Sequence, residues 1–281
     1  MDPFTSSHAS ELGPRPRTKK RKFLPQFFLL LTLIFLGVGG YVAYRYVFAP
    51  EQQSTTASQS ITKVPVVSME KARVEKWNGV TKKVAFLTFE DGPSALTPDL
   101  LRTLDQLNTR ATFFYLGTQV DAFPKEVKAA AKAGHYIGLH GETHDYDTLY
   151  EKGKYVSEMQ SVQKKIHALT QLTPHLTRPP YGSTPGITKK MASAIHSSDF
   201  RVWDWSIDSM DWYYKDSAKE VANTVIRRAE RPFEIILLHE QPQAIKALPA
   251  IVAGLQKKGY QFAIYDEDFH IPYNFAQYSN L

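Results

Sequence analysis

Residues 84–93 read Val-Ala-Phe-Leu-Thr-Phe-Glu-Asp-Gly-Pro, an apolar run that ends in two carboxylates and a Gly-Pro turn. A short apolar run closed by turn residues is typical of a buried strand, here over residues 84–89. Further along the chain stand His140 and His144, four positions apart. One aspartate and two histidines supply three ligands for a divalent metal and leave its other positions open, which is the layout of a hydrolytic site rather than a structural one.

Similar runs alternate with helical patterns along the rest of the chain. Besides 84–89, strands are predicted over 111–116, 136–139, 201–205, 235–238 and 261–265. Between them apolar residues recur at three- and four-residue spacing, which predicts helices over 98–107, 124–133, 154–172, 188–196, 218–229 and 244–257. This alternation predicts an α/β fold with a parallel sheet, and in a (β/α) barrel the carboxyl ends of the strands converge on one face.

Three more motifs follow in order. They are Arg178-Pro179-Pro180-Tyr181-Gly182, Asp208-Ser209-Met210-Asp211-Trp212 and Leu237-Leu238-His239. With them the chain resembles the NodB-homology polysaccharide deacetylases, metal-dependent enzymes that remove acetyl groups from sugars and glycans. All five motifs of that family are present in order, and the resemblance covers roughly residues 80–268. It implies a distorted (β/α) barrel with fewer than eight regular units, within a catalytic domain over residues 67–281.

The resemblance implies that Asp91, His140 and His144 are the metal ligands. Neutral imidazoles and a carboxylate suit Zn²⁺, which we predict, although such a site also accepts Co²⁺, Ni²⁺ or Mn²⁺. The metal would polarise the acetyl carbonyl and lower the pKa of a coordinated water toward neutrality. Gly141 departs from the family pattern, because relatives usually carry Ser or Thr there to stiffen the loop, and we expect the metal to be held more loosely.

Glu90 is the other departure, since most relatives carry an aspartate there as the general base. Glutamate keeps the carboxylate on a longer stem, and we predict that Glu90 is the base, although a displacement of about 1 Å can lower a rate about 100-fold. The alternative is that Glu90 only balances the charge of Arg178 and that catalysis is lost. By resemblance, Arg178 orients the base carboxylate through a bidentate fork.

Further roles also follow from the resemblance. The backbone N–H of Tyr181 is expected to stabilise the oxyanion. His239 is expected to protonate the leaving amine as the general acid, with Asp208 as the carboxylate that raises its pKa. Trp212 and Leu237 are expected to form the apolar slot for the acetyl methyl group. Tyr181, Trp212 and Leu237 are therefore the predicted substrate-binding residues.

The N-terminal part of the chain predicts a membrane anchor. A basic cluster over 15–22 precedes a nearly uninterrupted apolar stretch over 27–44, and about 20 apolar residues suffice to cross a bilayer. The basic side is expected to stay in the cytoplasm. A cleaved signal peptide is the alternative, but the best cleavage site, at Ala49, is followed by Pro50.

These signals divide the chain into four parts. We predict a cytoplasmic basic tail over 1–22, whose start could be an expression leader, a single transmembrane signal-anchor over 23–48, a flexible Ser/Thr/Gln-rich stalk over 49–66 and the catalytic domain over 67–281. The protein would lie in the cell membrane as a single-pass protein with its catalytic domain outside the cell.

The formal net charge of +6 does not indicate nucleic-acid binding. Residues 1–48 hold 7 of the 34 Lys and Arg and 2 of the 28 Asp and Glu, which leaves 27 against 26 in the rest of the chain. The excess positive charge belongs to the predicted anchor, and we predict no nucleic-acid partner. The chain has no cysteine, which excludes disulfides and thiolate metal sites.

Together these features predict a membrane-anchored, metal-dependent polysaccharide de-N-acetylase. Its substrate would be N-acetylglucosamine residues of peptidoglycan or of a wall-polysaccharide linkage, and its partners would be that glycan and the membrane. The oligomeric state stays open. One alternative is an O-acetyl carbohydrate esterase, because the motifs do not distinguish an amide from an ester. Another is a catalytically inactive glycan-binding relative, which Glu90 and Gly141 motivate.

Overall fold

Eleven strands run through the part of the chain that the computed structural model describes, residues 66–67, 76–77 and 80–281. They are β1 (Val66–Val67), β2 (Lys76–Trp77), β3 (Val80–Thr81), β4 (Lys83–Gly92), β5 (Thr112–Tyr115), β6 (Tyr136–Leu139), β7 (Leu176–Thr177), β8 (Arg201–Val202), β9 (Ile207–Asp208), β10 (Phe233–His239) and β11 (Tyr260–Ala263). Nine of them form one sheet with parallel pairing, and β2 pairs with β3 antiparallel.

Helices connect the strands, and several begin at recognisable residues. They are α1 (Thr97–Gln106), α2 (Gly117–Ala122), α3 (Pro124–Lys132), α4 (Tyr155–Thr170), α5 (Lys189–Ser197), α6 (Ala218–Arg228) and α7 (Pro242–Lys257), with a π-helix at Asp147–Glu151 and a 3₁₀ helix at Glu267–Phe269. α3 and α7 start at a proline, where a missing N–H removes no helical hydrogen bond. Thr188 and Ser217 cap α5 and α6 with their side-chain oxygens.

β4 is the central strand, and it has three neighbours. β10 pairs with it from Val84 to Glu90 along one edge. On the other edge, β11 pairs with its first residues and β5 with residues from Thr88 to Gly92. The sheet therefore splits beside β4, and the strands follow the order β9-β10-β4-β5-β6-β7-β8 around a distorted half-barrel. The predicted α/β fold with parallel strands is confirmed.

The two faces of β4 pack into two different apolar regions. Because alternate residues of a strand face opposite sides, Val84 and Phe86 point into the half-barrel, while Leu87 and Phe89 point toward the helices. Inside, the ring of Phe86 lies 5.1 Å from that of Trp203, edge to face. Truncating a buried phenylalanine such as Phe86 to alanine typically costs about 3–5 kcal/mol of folding free energy.

Each predicted strand and helix has a counterpart in the structure, with ends that differ by a few residues. The predicted strand over 201–205 ends at Val202, because Trp203 pairs instead with Tyr273 of the C-terminal segment. The sequence patterns did not predict β1, β2, β3, β7, β9, α2, the π-helix or the 3₁₀ helix. Elements of two to six residues are too short for periodicity to reveal.

The described residues contain no helix with the length and apolar composition that a bilayer span requires. The predicted tail over 1–22 and anchor over 23–48 lie outside the described residues. So does the predicted stalk except for Val66, which pairs with Phe262 of β11.

Candidate active site

The candidate active site begins where the inner face of β4 changes from apolar to polar. Phe86 belongs to the apolar interior, but Thr88 and Glu90, which share its face, carry polar groups. The parallel register sets Leu237 of β10 beside Thr88 and His239 beside Glu90. The predicted base and the predicted acid therefore lie on one rung of the sheet.

Asp91 reaches the same site through a β-bulge. The pairing of β4 with β5 shifts register between Glu90 and Gly92, so that Asp91 is an extra residue. Its φ of 65° lies in the left-handed region, which aspartate adopts more readily than most residues. As a result, two consecutive carboxylates come within 3.9 Å of His140 Nε2, whereas a regular strand would point them to opposite faces.

Asp91, His140 and His144 come together as the sequence predicts. Each offers one ligand atom, and these atoms lie within 4.8 Å of one another. Asp91 Oδ1 is 3.4 Å from His140 Nε2 and 3.9 Å from His144 Nε2. Two imidazole nitrogens and one carboxylate oxygen form a donor set that binds a divalent cation and leaves positions for water and substrate.

His140 is oriented for metal ligation. Its Nδ1 lies 2.8 Å from the carbonyl oxygen of Arg178, which can only accept, so Nδ1 carries the proton and Nε2 presents its lone pair. Among the described residues, His140 Nε2 is buried and has no hydrogen-bond partner. A buried polar atom without a partner is costly, and a cation at this position would satisfy it. The residues present therefore fit a divalent metal.

The charges at the triad also suit a cation. Burial acts to lower the pKa of His140, but the carboxylates of Glu90 and Asp91 raise it, and negative charge that favours a proton there also favours a metal ion. Burial acts to raise the pKa of Asp91, but the neighbouring His140 and His144, when protonated, lower that pKa to about 2. Burial and the charge of His140 lower the pKa of His144. At neutral pH Asp91 is therefore a carboxylate and His144 a neutral imidazole, which are the forms that ligate metals.

A buried glutamate holds the loop between the two histidines. Glu158, in the first turn of α4, accepts hydrogen bonds on Oε2 from the backbone N–H groups of Glu142 at 3.0 Å and Thr143 at 3.1 Å. Gly141 makes this approach possible, because its φ is 94° and an added Cβ would lie 3.0 Å from the Thr143 carbonyl oxygen. The loop that was expected to be loose is thus fixed from outside, by α4.

Three nitrogen atoms of basic side chains surround the carboxylate of Glu90. Oε1 lies 3.4 Å from His239 Nε2, and Oε2 lies 3.6 Å from Arg178 Nη1 and 3.9 Å from His140 Nε2. Burial acts to raise the pKa of Glu90, but His140, His239 and Arg178 together lower it. Glu90 is therefore ionised at neutral pH and able to accept a proton.

Arg178 does not form the predicted bidentate fork with Glu90. Its Nε donates to the Trp203 carbonyl oxygen at 3.0 Å, Nη2 to the Asp204 carbonyl oxygen at 3.1 Å and Nη1 to Thr88 Oγ1 at 2.8 Å. With these donors engaged, only Nη1 faces Glu90, at 3.6 Å. Burial lowers the pKa of Arg178 to about 10, against the opposing charge of Glu90, so the guanidinium remains a cation beside the base.

The carboxylate that contacts His239 is Asp211, and the prediction of Asp208 was wrong. Asp211 Oδ1 lies 2.7 Å from His239 Nδ1, and Oδ2 accepts the backbone N–H of His239 at 2.7 Å. Burial acts to lower the pKa of His239, but its hydrogen bonds to Asp211 and Glu90 raise it to about 11. His239 is therefore protonated at neutral pH and has a proton to donate.

Asp208 has a different task because of its position in the sheet. It pairs with Leu237, two residues before the acid. Its Oδ1 accepts the backbone N–H of Met210 at 2.7 Å and its Oδ2 accepts Trp212 Nε1 at 3.3 Å. Met210 has a left-handed φ of 60°. Asp208 thus shapes the turn and orients Trp212, and the chain beyond the turn brings Asp211 to His239.

The three predicted substrate-binding residues lie around these groups. The ring of Tyr181 packs edge to face on His144 at 4.4 Å, and its hydroxyl donates to the His144 carbonyl oxygen at 2.9 Å. The φ of Tyr181 is 66°, so its backbone turns sharply beside the metal-binding group. Trp212 is exposed. Leu237 is buried on β10, two residues before His239.

Two contributors were missed by the sequence analysis. Asp211 had a usable signal, since it stands in the same motif as Asp208. Glu158 had no such signal, because it lies in a helical pattern, 15 residues along the chain from Thr143, whose N–H it accepts.

Comparisons with known proteins point in the same direction as this geometry. Residues 78–203 match the family model described as polysaccharide deacetylase. A peptidoglycan-N-acetylglucosamine deacetylase of Bacillus cereus is 40% identical to this chain over 261 residues, which cover 90% of this chain and 96% of that protein. A putative polysaccharide deacetylase of Bacillus subtilis, YheN, is 38% identical over 197 residues, which cover 68% of this chain and 69% of that protein.

A solved structure has the same fold. The crystal structure of the polysaccharide deacetylase Bc1974 from Bacillus cereus superposes with a TM-score of 0.70 at 44% sequence identity. The match covers 71% of this chain and 100% of that one.

Proposed function

Because this chain belongs to the polysaccharide deacetylase family, we propose that it is a metal-dependent hydrolase that removes N-acetyl groups from N-acetylglucosamine residues of peptidoglycan. One observation carries the proposal. Glu90 and His239 face each other on one rung of the sheet, 3.4 Å apart, beside three metal-binding groups. A base, an acid and a cation site in one cleft are what amide hydrolysis requires. Peptidoglycan is the proposed substrate because the relative that is 40% identical is a peptidoglycan-N-acetylglucosamine deacetylase.

Asp91, His140 and His144 would hold the metal, and Zn²⁺ is the ion we propose. When bound, the metal would polarise the acetyl carbonyl and lower the pKa of a coordinated water. The donor set also accepts Co²⁺, Ni²⁺ or Mn²⁺, and reconstitution of metal-depleted protein with each ion separately would rank them. Greater turnover with another of these ions than with Zn²⁺ would contradict the proposed metal.

Glu90 would take the proton of the attacking water. Its carboxylate is ionised and lies between His140 on the metal side and His239 on the acid side. Arg178 keeps a positive charge 3.6 Å from Glu90 Oε2. The extra methylene relative to aspartate lengthens the reach of the base, and its ion pairs hold the longer side chain in place.

His239 would donate a proton to the leaving nitrogen. As the C–N bond breaks, its electron pair stays on nitrogen, which becomes a neutral amine when it takes the proton from His239 Nε2. Asp211 holds Nδ1 and stabilises the imidazolium. Asp91 Oδ2 lies 3.9 Å from His239 Nε2. With a cation held by Asp91, His239 would release its proton more readily, because nearby positive charge lowers the pKa of an imidazolium.

The remaining charge develops on the acetyl oxygen. The backbone N–H of Tyr181 would stabilise it, and the ring and hydroxyl contacts that fix Tyr181 to the His144 loop support this role. Trp212, oriented by Asp208, and Leu237 would enclose the acetyl methyl group.

The protonated state of His239 favours an amide substrate over an ester. An amine must be protonated to leave, whereas an alkoxide is a better leaving group. The decisive experiment incubates the metal-loaded full-length chain, in detergent micelles, with N-acetylated peptidoglycan and with an O-acetylated glycan lacking N-acetyl groups. We expect acetate release and free amines from the first. Acetate from the O-acetylated glycan alone would support an esterase, and no acetate from either would support a glycan-binding relative.

We also propose that residues 23–48 anchor the protein in the cell membrane, with residues 1–22 in the cytoplasm and the catalytic domain outside. The support is the sequence pattern of a basic cluster followed by an apolar stretch. Protease added to intact cells should remove the catalytic domain while an N-terminal tag stays protected. A catalytic domain that resists protease until the cells are lysed would contradict this orientation.

A further inference from the structure

The large apolar side chains that are exposed in the described part of the chain are unevenly placed. Four of the five are aromatic, and they stand on loops rather than on helices or strands: Tyr181, Trp212, Tyr213 and Phe275, with Leu172 as the fifth. Tyr181 and Trp212 belong to the proposed active site. Exposed apolar side chains that form one patch mark an interaction surface, whereas a single one is ordinary. Phe275 has no part in the chemistry, but its ring packs beside the loop that carries Tyr181.

Phe275 is held in place by a buried carboxylate. Asp204 Oδ2 accepts the backbone N–H of Phe275 at 2.6 Å, while Asp204 Oδ1 accepts the backbone N–H of Ser183 at 2.9 Å. Ser183 Oγ in turn accepts the N–H of Ala276 at 2.9 Å. The ring of Phe275 stands edge to face on Trp205, with 5.0 Å between centroids. The C-terminal segment is therefore fastened to the loop that carries Tyr181.

This fastening brings Phe275 next to the reaction centre. A Cβ added at Gly182 would lie 3.1 Å from the Phe275 ring. Gly182 follows Tyr181, and consecutive Cα atoms lie about 3.8 Å apart. Tyr181 itself packs on His144. The ring of Phe275 thus lies against Gly182, the residue that follows the proposed oxyanion donor Tyr181.

A pocket of about 440 Å³ opens beside the same ring. Its lining combines aromatic rings, Tyr273, Phe275 and Tyr278, with the amide side chains of Asn274 and Gln277. Hydrogen bonds between Asn274 and the backbone of Tyr278, both at 2.9 Å, fix its shape. The volume lies within the range of about 300–1,000 Å³ that is usual for ligand sites. Aromatic faces beside amide groups suit a ligand with C–H faces and a hydroxyl rim, which describes a pyranose ring.

We propose that this pocket, with Phe275 as its platform, binds a sugar unit that neighbours the N-acetylglucosamine residue being deacetylated. The inference rests on the proposed function. A glycan strand extends in two directions from the reacting sugar, so a neighbouring unit must lie beside the loops that surround the reacting one. Phe275 adjoins Gly182 of the loop that carries Tyr181. The site would make the enzyme select polymeric substrates over short ones, because binding energy from a remote sugar contributes to the rate.

The test compares N-acetylglucosamine itself with its hexamer, using the full-length parent, Phe275→Ala and Phe275→Trp. Phe275→Ala should lower kcat/KM on the hexamer roughly 3- to 10-fold, the worth of one aromatic contact, and leave the single sugar, which has no neighbouring unit, unchanged. Phe275→Trp should retain the preference for the hexamer. Leu172→Ala is the matched control, because Leu172 is 45% exposed against 39% for Phe275 and lies outside the pocket. It should behave as the parent on both substrates.

Equilibrium binding of the hexamer to metal-depleted protein separates this inference from the proposed function. Phe275→Ala and Gln277→Ala should each weaken hexamer binding by a similar factor, whether or not the parent releases acetate. An active parent whose hexamer kinetics and binding are unaffected by both substitutions would overturn the sugar site and leave the deacetylase proposal standing. Equal losses on the single sugar and the hexamer would also overturn it, since they indicate a distorted Tyr181 loop. A parent that binds the hexamer through Phe275 but releases no acetate would support the sugar site and contradict the proposed function.

Discussion

Asp211 contacts His239 twice, because its carboxylate accepts both the ring Nδ1–H and the backbone N–H of that residue, each at 2.7 Å. The contact with the ring raises the pKa of His239 toward about 11. The contact with the backbone fixes the Asp211 side chain to the end of β10. Asp211→Asn should therefore lower the pKa of His239. Because the acid works only when protonated, the alkaline limb of the kcat/KM profile should move to lower pH, with a loss of roughly 100-fold or more above that limb. Steady-state rates across the pH range would measure it.

Asp208→Asn provides the control for this pair, since Asp208 lies in the same turn and contacts Met210 and Trp212 instead. It should raise KM through a misplaced Trp212 and leave the alkaline limb where it is. If Asp208→Asn moves the limb and Asp211→Asn does not, the assignment of the acid's partner is reversed.

The carboxylate of Glu90 should be needed for turnover. Glu90→Gln keeps the size of the side chain and removes the base, so kcat should fall by roughly 100- to 10,000-fold. Metal content should stay near that of the parent, because Glu90 is not among the three ligands. Glu90→Asp should retain partial activity, since its shorter stem draws the carboxylate away from His239. Single-turnover kinetics with elemental analysis would measure both, and a Glu90→Gln variant as fast as the parent would place the base elsewhere.

Metal retention should depend on both histidines of the triad. His140→Ala and His144→Ala should each remove bound metal and activity together, while circular dichroism shows a folded domain. His167→Ala is a suitable control, because His167 is exposed on α4 and its Nδ1 lies 3.1 Å from Thr173 Oγ1 rather than near the triad. Unchanged metal content by elemental analysis in the His140 and His144 variants would remove the metal assignment.

Glu158 should set metal affinity without touching the metal. Its carboxylate accepts the N–H groups of Glu142 and Thr143, which lie between the two histidines. Glu158→Gln places an amide where an acceptor is needed, and we expect metal affinity to fall roughly 10- to 100-fold, as for other residues that orient metal ligands. Competition with a chromophoric chelator would measure this independently of activity.

Glu220→Gln is the matched control for Glu158, since Glu220 also stands in the first turn of a helix but is exposed. Both substitutions lose the favourable interaction of a carboxylate with the helix N-terminus. Only Glu158→Gln should change metal affinity. Equal effects from the two would mean that charge at a helix end, and not the hold on the loop, accounts for the loss.

The sequence alone predicted the site residues that stand within short motifs at strand ends. Asp91, His140 and His144 could be predicted because the carboxyl ends of parallel strands share one face, so residues far apart in the chain meet there. The parallel sheet followed from the alternation of strands and helices, and the distorted barrel from the family resemblance. Its short strands, β7 and β9, did not, since two residues carry no periodicity.

The remaining details depend on turns and on contacts between distant segments. Whether Asp208 or Asp211 meets His239 is decided by the left-handed residue Met210 between them, and a motif does not reveal that conformation. The role of Glu158 depends on α4 packing against the histidine loop. Phe275 lies beyond the roughly 80–268 range of the family resemblance, where no motif drew attention to it.

The pairing of Glu90 with His239 has a consequence for how such an enzyme could be re-engineered. Proton acceptor and proton donor stand on adjacent strands, whose separation of about 4.8 Å is set by backbone hydrogen bonds. The surfaces proposed to meet the glycan, around Tyr181, Trp212 and Phe275, stand on loops outside the sheet. Of these loops, the C-terminal segment around Phe275 carries neither the base, nor the acid, nor Asp211. Exchanging that segment for the one of a relative with another glycan preference should redirect the enzyme to a different polymer and leave its proton transfers unchanged.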